Sequence, residues 1–148
     1  MLRLSIVLLS LGGLADALYF TLAYYGRVRK ARWIPEIFCA REDSSCFTVV
    51  RTPYARVFGV PNSLLGVIYY VLLMVWIMFV PCSVSISGHV LRPFDTLGLL
   101  LLGASLCTLI LGFYLIYALR RILHAHCPLC YAAHAINIVL FVLLILVS

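Results

Sequence analysis

The stretch Cys127-Pro128-Leu129-Cys130-Tyr131-Ala132-Ala133-His134, which continues to Val147 without Asp, Glu, Lys or Arg, decides how the chain is read. At about 1.5 Å per helical residue, Tyr131 to Val147 spans roughly 25 Å, close to the thickness of a bilayer's hydrocarbon core. Proline is favoured in the first helical turn, where its missing N–H would have no partner anyway, so Pro128 puts Cys127 near the N-cap of that span. Partial positive charge and open N–H groups at a helix N-terminus favour thiolate, the form that attacks disulfides and binds metals. Cys127 is therefore the expected reactive sulfur, at a membrane surface.

The whole composition agrees with a membrane protein. The chain has 148 residues, of which 65% are hydrophobic and 11% charged, and a mean hydropathy of +1.13. These values lie outside the soluble globular range and predict an all-α integral membrane domain spanning residues 1–148. A net charge of +6 would suggest nucleic acid in a soluble protein. Here the basic residues flank apolar spans, where they govern orientation and headgroup contacts, so no nucleic-acid partner is expected. Of the six cysteines, Cys82 and Cys107 stand alone and read as small packed hydrophobes.

Met1 to Ala17 imitates a signal peptide, with Arg3, an apolar run and Ala15-Asp16-Ala17 as a cleavage-like site. The apolar run continues to Tyr25, which predicts an uncleaved span over 4–25 with Asp16 as its one charge. A lone intramembrane carboxylate is costly and must face the bundle, a partner or water, or be neutral; it suits a proton path or a structural hydrogen bond. Residues 26–62 form the long polar loop, opening with Arg27, Arg29, Lys30 and Arg32 before Trp33 and Pro35. The loop carries Cys39 and Cys46 around the polar turn Arg41-Glu42-Asp43-Ser44-Ser45. This pair can close a small loop, either as a structural staple or as an exchangeable disulfide. Thr52-Pro53-Tyr54 and Gly59-Val60-Pro61-Asn62-Ser63 return the chain to the membrane as turns, with no regular element expected there. Asn62 and Ser63 lie at the mouth of a second span over 64–80. A short connection, Pro81 to Asp95, leads to a third span over 96–119, and Arg120, Arg121, His124 and His126 precede the last span, 130–147. Four crossings put both cysteine pairs on one face. No solenoid repeat, phosphate loop or nucleophile elbow is present, so nucleotide and hydrolase chemistry have no support.

The ordered set of Cys39 and Cys46, Cys46-x-x-Val49, Phe58-Gly59-Val60-Pro61-Asn62-Ser63-Leu64-Leu65-Gly66, and Cys127-x-x-Cys130 ahead of Ala135-Ile136-Asn137 resembles the vitamin K epoxide reductase family in its small four-helix form. Other quinone-linked disulfide generators carry the two kinds of cysteine pair in the reverse order. The resemblance implies a four-helix bundle with a partly helical first loop and a relay of electrons. In that relay a thioredoxin-fold redox protein reduces the loop pair, Cys46 attacks Cys127, and Cys130 meets a quinone such as ubiquinone, menaquinone or a relative. Asn62 corresponds to the family asparagine that bonds a quinone carbonyl. His134 stands where vertebrate members have tyrosine. It follows Cys130 by four residues, on the same helix face, so its imidazole can bond a ring held beside the sulfur. Tyr19 is a further expected lining residue, and no metal is expected.

A reading from another class is a copper- or zinc-binding membrane protein, because His124-x-His126-Cys127-x-x-Cys130-x3-His134 contains soft ligands. It leaves Cys39 and Cys46 without a role. Orientation follows from charge. Arg27, Arg29, Lys30, Arg32, Arg41, Arg51, Arg56, Arg120 and Arg121, nine of eleven Lys plus Arg, lie on the cysteine face, against Arg3 and Arg92 opposite. The positive-inside rule puts that face in the cytoplasm of a cell membrane; partner docking or anionic lipid would instead explain the basic loop on an outward face. Intracellular disulfides are a feature of hyperthermophiles. The absence of Gln and the presence of only Asn62 and Asn137 as Asn fit depletion of thermolabile amides, whereas the single Lys does not fit lysine enrichment.

Overall fold

A computed structural model describes residues 2–27, 49, 51–57, 59–79 and 93–147. Four long helices dominate them: α1 (Leu2–Tyr24), α2 (Asn62–Phe79), α3 (Pro93–Tyr117) and α4 (Pro128–Val147). All four are long and apolar enough to cross a membrane. The chain is a multi-pass helical membrane protein. Spans expected at 4–25, 64–80, 96–119 and 130–147 differ from the helices by a few residues at their ends, because Asn62, Pro93 and Pro128 start helices before the purely apolar runs begin. The loop cysteines Cys39 and Cys46, the lone Cys82 and the expected short loop helices lie outside the described residues.

Helix ends have identifiable causes. Gly26, at φ 67°, follows α1 in the left-handed region. Its N–H donates to the Ala23 carbonyl at 3.1 Å and that of Arg27 to the Leu22 carbonyl at 2.9 Å, a Schellman termination. The return to α2 is more regular than its turn-rich sequence suggests. A 3-10 turn at Pro53–Ala55 leads into two short antiparallel strands, β1 (Arg56–Val57) and β2 (Val60–Pro61), in register Arg56 with Pro61 and Val57 with Val60. Gly59, at φ 83°, supplies the left-handed residue that so tight a hairpin needs. At the far end of α3 the last turn widens into a π-helix, Ala118–Ile122. The Leu123 N–H reaches the Ala118 carbonyl at 2.9 Å, and His124, at φ 47°, ends the helix.

In lipid, helices associate through close van der Waals contact at small residues, because lipid tails are as apolar as leucine. Gly13, Ala17 and Thr21 recur every four residues on α1 and meet α2. A Cβ on Gly13 would enter the Tyr70 ring, and one on Gly66 would lie 3.5 Å from the Ala17 Cβ. The Thr21 hydroxyl donates to the Ala17 carbonyl at 2.8 Å and is hydrogen-bonded to Ser63 Oγ at 3.1 Å. On α3, Gly98 makes similar room for Trp76, whose ring would lie 2.9 Å from an added Cβ. Ile6, Leu73, Leu101, Leu140 and Leu144 fill the core between the helices.

Gly13→Ala is expected to lower stability by about 1–3 kcal/mol through overpacking against Tyr70. Thermal unfolding in detergent, compared with an alanine placed at the exposed Gly103, which has open space beside it, checks this.

Candidate active site

The termini of four helices bring the site together at one end of the bundle. Cys127 is the N-cap of α4: the Tyr131 N–H donates to its carbonyl at 3.2 Å, and the Cys130 N–H donates to its Sγ at 3.3 Å. A sulfur thus does what a serine or aspartate oxygen does at most helix starts, satisfying one of the open N–H groups. Cys127 is 0% exposed and packs with Phe20, Val49 and Leu119. Leu119 belongs to the π-helical turn, so the widened turn helps to close over the sulfur. Arg56 lies 5.4 Å from the Tyr24 ring centre and Arg120 5.7 Å from that of Tyr131, a basic and aromatic rim at this end.

Cys127 and Cys130 are both free thiols. The Cys130 thiol hydrogen-bonded to Cys127 is the largest influence on the Cys127 thiol and holds it below the ordinary thiol range. The backbone N–H groups of Cys130 and Leu129 act in the same direction, against burial and the charge of Asp16.

Beside this pair is a cavity of about 470 Å³, within the size range of small-molecule pockets. Cys130, His134 and Asn137 line it from α4, Asn62, Tyr69 and Tyr70 from α2, and Asp16 from α1. Most of the remaining lining is apolar, including Leu65, Leu111, Leu115 and Phe20. Among the described residues, Asp16 Oδ1 and His134 Nδ1 beside it are buried with no hydrogen-bond partner. The Tyr70 hydroxyl donates to Asn137 Oδ1 at 2.6 Å, tying α2 to α4. Gly112 on α3 accommodates His134, since a Cβ there would lie 2.7 Å from its Nδ1. Apolar walls with a few open polar atoms suit a flat, mostly apolar ligand carrying hydrogen-bonding oxygens.

Of the residues expected at the site, Asn62, Cys130 and His134 share this cavity, while Cys127 is not among its lining. Tyr19 is not among the lining either. The α1 face that meets the cavity runs through Gly13, Asp16, Ala17 and Phe20; Tyr19 packs against the Cys127 cluster and edge-on to Phe20, with centroids 5.8 Å apart. Cys107 lies on the outside of α3, within its membrane span, and borders the cavity. Tyr69, Tyr70 and Asn137 carry no expected role in the sequence reading. Asn137 was within reach of it, because Cys130, His134 and Asn137 follow the i, i+4, i+7 spacing of one helix face. The ligand set of the copper or zinc reading does not assemble: His124 and His126 are exposed, and no three His, Cys, Asp or Glu side chains among the described residues come together.

A helical membrane bundle whose last helix is capped by one sulfur of a C-x-x-C, with the other sulfur facing an apolar cavity, has the build of a membrane thiol–disulfide oxidoreductase. The family model described as Vitamin K epoxide reductase family matches residues 4–145, and the chain belongs to that family of oxidoreductases. No curated protein matches the chain.

In reduced protein, the thiolate absorbance of Cys127 is expected to appear below the pH at which an ordinary thiol ionises. Cys130→Ala should move it upward, since the largest cause is removed. Because the folded-state value is depressed, the stabilisation it contributes is present above the unfolded thiol's pKa, about 8.5, and is lost as pH falls through the folded value. Ultraviolet titration of reduced protein, and its unfolding at the ordinary thiol pKa compared with successively lower pH, check both signs.

Proposed function

We propose that the protein generates disulfides, passing electrons from a thioredoxin-fold partner through Cys39 and Cys46 to Cys127 and Cys130, and from there to a quinone in the cavity. The observation that carries this reading is the partition of the two sulfurs. Cys127 is sealed against Val49, and Cys130 faces the cavity with Asn62 and His134. Val49 follows Cys46 by three residues, so the covalent chain keeps their Cα atoms within roughly 11 Å of each other. The sulfur beside Val49 is the one a loop thiolate would meet first.

The chain's own steps follow. The partner's dithiol reduces the Cys39–Cys46 disulfide. Cys46 thiolate then attacks Sγ of Cys127 in the Cys127–Cys130 disulfide, forming a Cys46–Cys127 bond and releasing Cys130 into the cavity. Cys39 attacks Cys46, restoring the loop disulfide and freeing Cys127 as the thiolate that its cap position favours. The amide of Asn62 and the imidazole of His134 orient the ring by donating to its carbonyl oxygens, and the apolar walls exclude water. A bound quinone supplies a two-electron, two-proton acceptor that returns Cys127 and Cys130 to the disulfide.

Cys39→Ala is expected to accumulate a Cys46–Cys127 disulfide, readable by mass spectrometry of digested protein, and Cys130→Ser to abolish quinone-dependent thiol oxidation while exchange with the partner persists. A Cys39–Cys127 bond in the Cys39 variant would overturn the order of the relay.

The cysteine face is proposed to be cytoplasmic in a cell membrane, on the strength of the nine-to-two distribution of Lys and Arg. Alkaline phosphatase fused after Ser148 is expected to be active; a fluorescent cytosolic GFP fusion at the same point would reject this orientation.

A further inference from the structure

Asp16 is a carboxyl group that the relay does not use. It lies within α1, inside a membrane span, where an ionised side chain is costly and is retained chiefly for function. On the same helix Thr21 bonds both the Ala17 carbonyl and Ser63, whereas the buried Ser10 hydroxyl has no hydrogen-bond partner among the described residues and does not border the cavity. Asp16 Oδ1 is likewise buried with no hydrogen-bond partner among the described residues. It borders the same cavity as Cys130 and His134, and it is the only carboxyl among the described residues that line it.

The chemistry proposed for the cavity creates a proton problem at this place. Joining Cys127 and Cys130 into a disulfide releases two electrons and, counted from the protonated dithiol, two protons, of which Cys127 has given up one on becoming a thiolate; a quinone that takes up the electrons must also take up two protons to become the quinol. No Lys or Arg is among the described lining residues. From α2 the cavity is faced by Tyr69 and Tyr70, the latter engaged with Asn137; from α3 by Cys107; and from α4 by Cys130 and His134. On its own helix Tyr19 turns toward the Cys127 cluster. Asp16 and Cys130 border the same cavity, with Cys127 beside it. Two negative charges in so apolar a space repel strongly, so a sulfur becomes thiolate most readily while Asp16 is a neutral carboxylic acid.

We propose that Asp16 is a proton-transfer residue: its carboxylic acid gives one proton to an oxygen of the bound acceptor as the Cys127–Cys130 bond forms, and a proton released by the thiol pair restores it. Electrons and protons balance, with two of each leaving the thiols, two of each entering the quinone, and no net change at Asp16. The role rests on the quinone reading given above.

The test uses full-length wild type, Asp16→Asn and Asp16→Glu in lipid nanodiscs. With the thiols pre-reduced and a short-chain ubiquinone analogue as oxidant, Asp16→Asn should slow single-turnover oxidation about 100-fold, the low end of general acid–base contributions. Asp16→Glu should recover part of the rate, and the Cys46–Cys127 product should still form when the Cys39→Ala change is added. A second readout needs no quinone. The infrared difference spectrum between dithiol and disulfide protein, interconverted with a chemical dithiol–disulfide couple, should contain a carboxylic acid band that Asp16→Asn removes and Asp16→Glu shifts. Asp16→Asn that is oxidised as fast as wild type, or a band indifferent to both substitutions, overturns this role alone. A wild type that the analogue does not oxidise overturns the quinone reading and this role with it. If Asp16→Asn does not fold, the Asp16→Glu band decides: a shift supports the role and an unmoved band rejects it.

Discussion

The close contact of α1 with α2 is the constraint on which the rest depends. Lipid offers apolar surfaces as good as any leucine, so two helices stay together only where their backbones come near enough for dense contact or where polar groups meet. Gly13, Ala17 and Thr21 against Tyr70, Gly66 and Ser63 meet both conditions along one seam. The missing Cβ of Gly13 lets the Tyr70 ring lie across α1, and from there its hydroxyl reaches Asn137 on α4. A single glycine thereby sets the spacing of three helices around the cavity.

The other end of the site is set by how α3 stops. A π-helical turn carries one more residue than an α-turn and is frequent near functional groups. Here it brings Leu119 against Cys127, and the left-handed His124 then directs the chain into the cap of α4. Cys127 and Cys130, only three residues apart, end in different surroundings because one is the cap and the other belongs to the first helical turn. One sulfur is enclosed by apolar side chains on the loop side and the other opens to the cavity. The pair therefore has two faces.

Much of the architecture was legible in the sequence. Four apolar runs of spanning length, a proline one residue after Cys127, and the ordered cysteine and asparagine motifs determine the bundle, the cap and the family. The orientation of each helix about its own axis was not, because in a membrane the outward face is as apolar as the inward one and hydropathy has no preferred side. Tyr19 and Phe20 are adjacent aromatics in one apolar run, yet of the two Phe20 lines the cavity. The spacing of small residues on α1 and of Cys130, His134 and Asn137 on α4 holds that information, and it becomes readable once the partner helices are known. The hairpin before α2 leaves no mark in the sequence pattern, because strands of two residues are too short to show a period. Its glycine and proline read only as turn formers.

The sulfur cap on α4 couples the chemistry of the pair to the folding of the helix behind it. As a thiolate, Cys127 is an anion placed on the open N–H groups and positive end of the helix dipole; as half of a disulfide, it carries no charge and is a far poorer acceptor. Whatever the helix gains from the anionic cap belongs only to the reduced state. Stabilising the reduced state makes the corresponding disulfide a stronger oxidant. In the relay proposed above, the first turn of a transmembrane helix would act as a thermodynamic bias toward drawing electrons into the Cys127–Cys130 pair, and the same bias would make the reduced protein the better-anchored form of that turn.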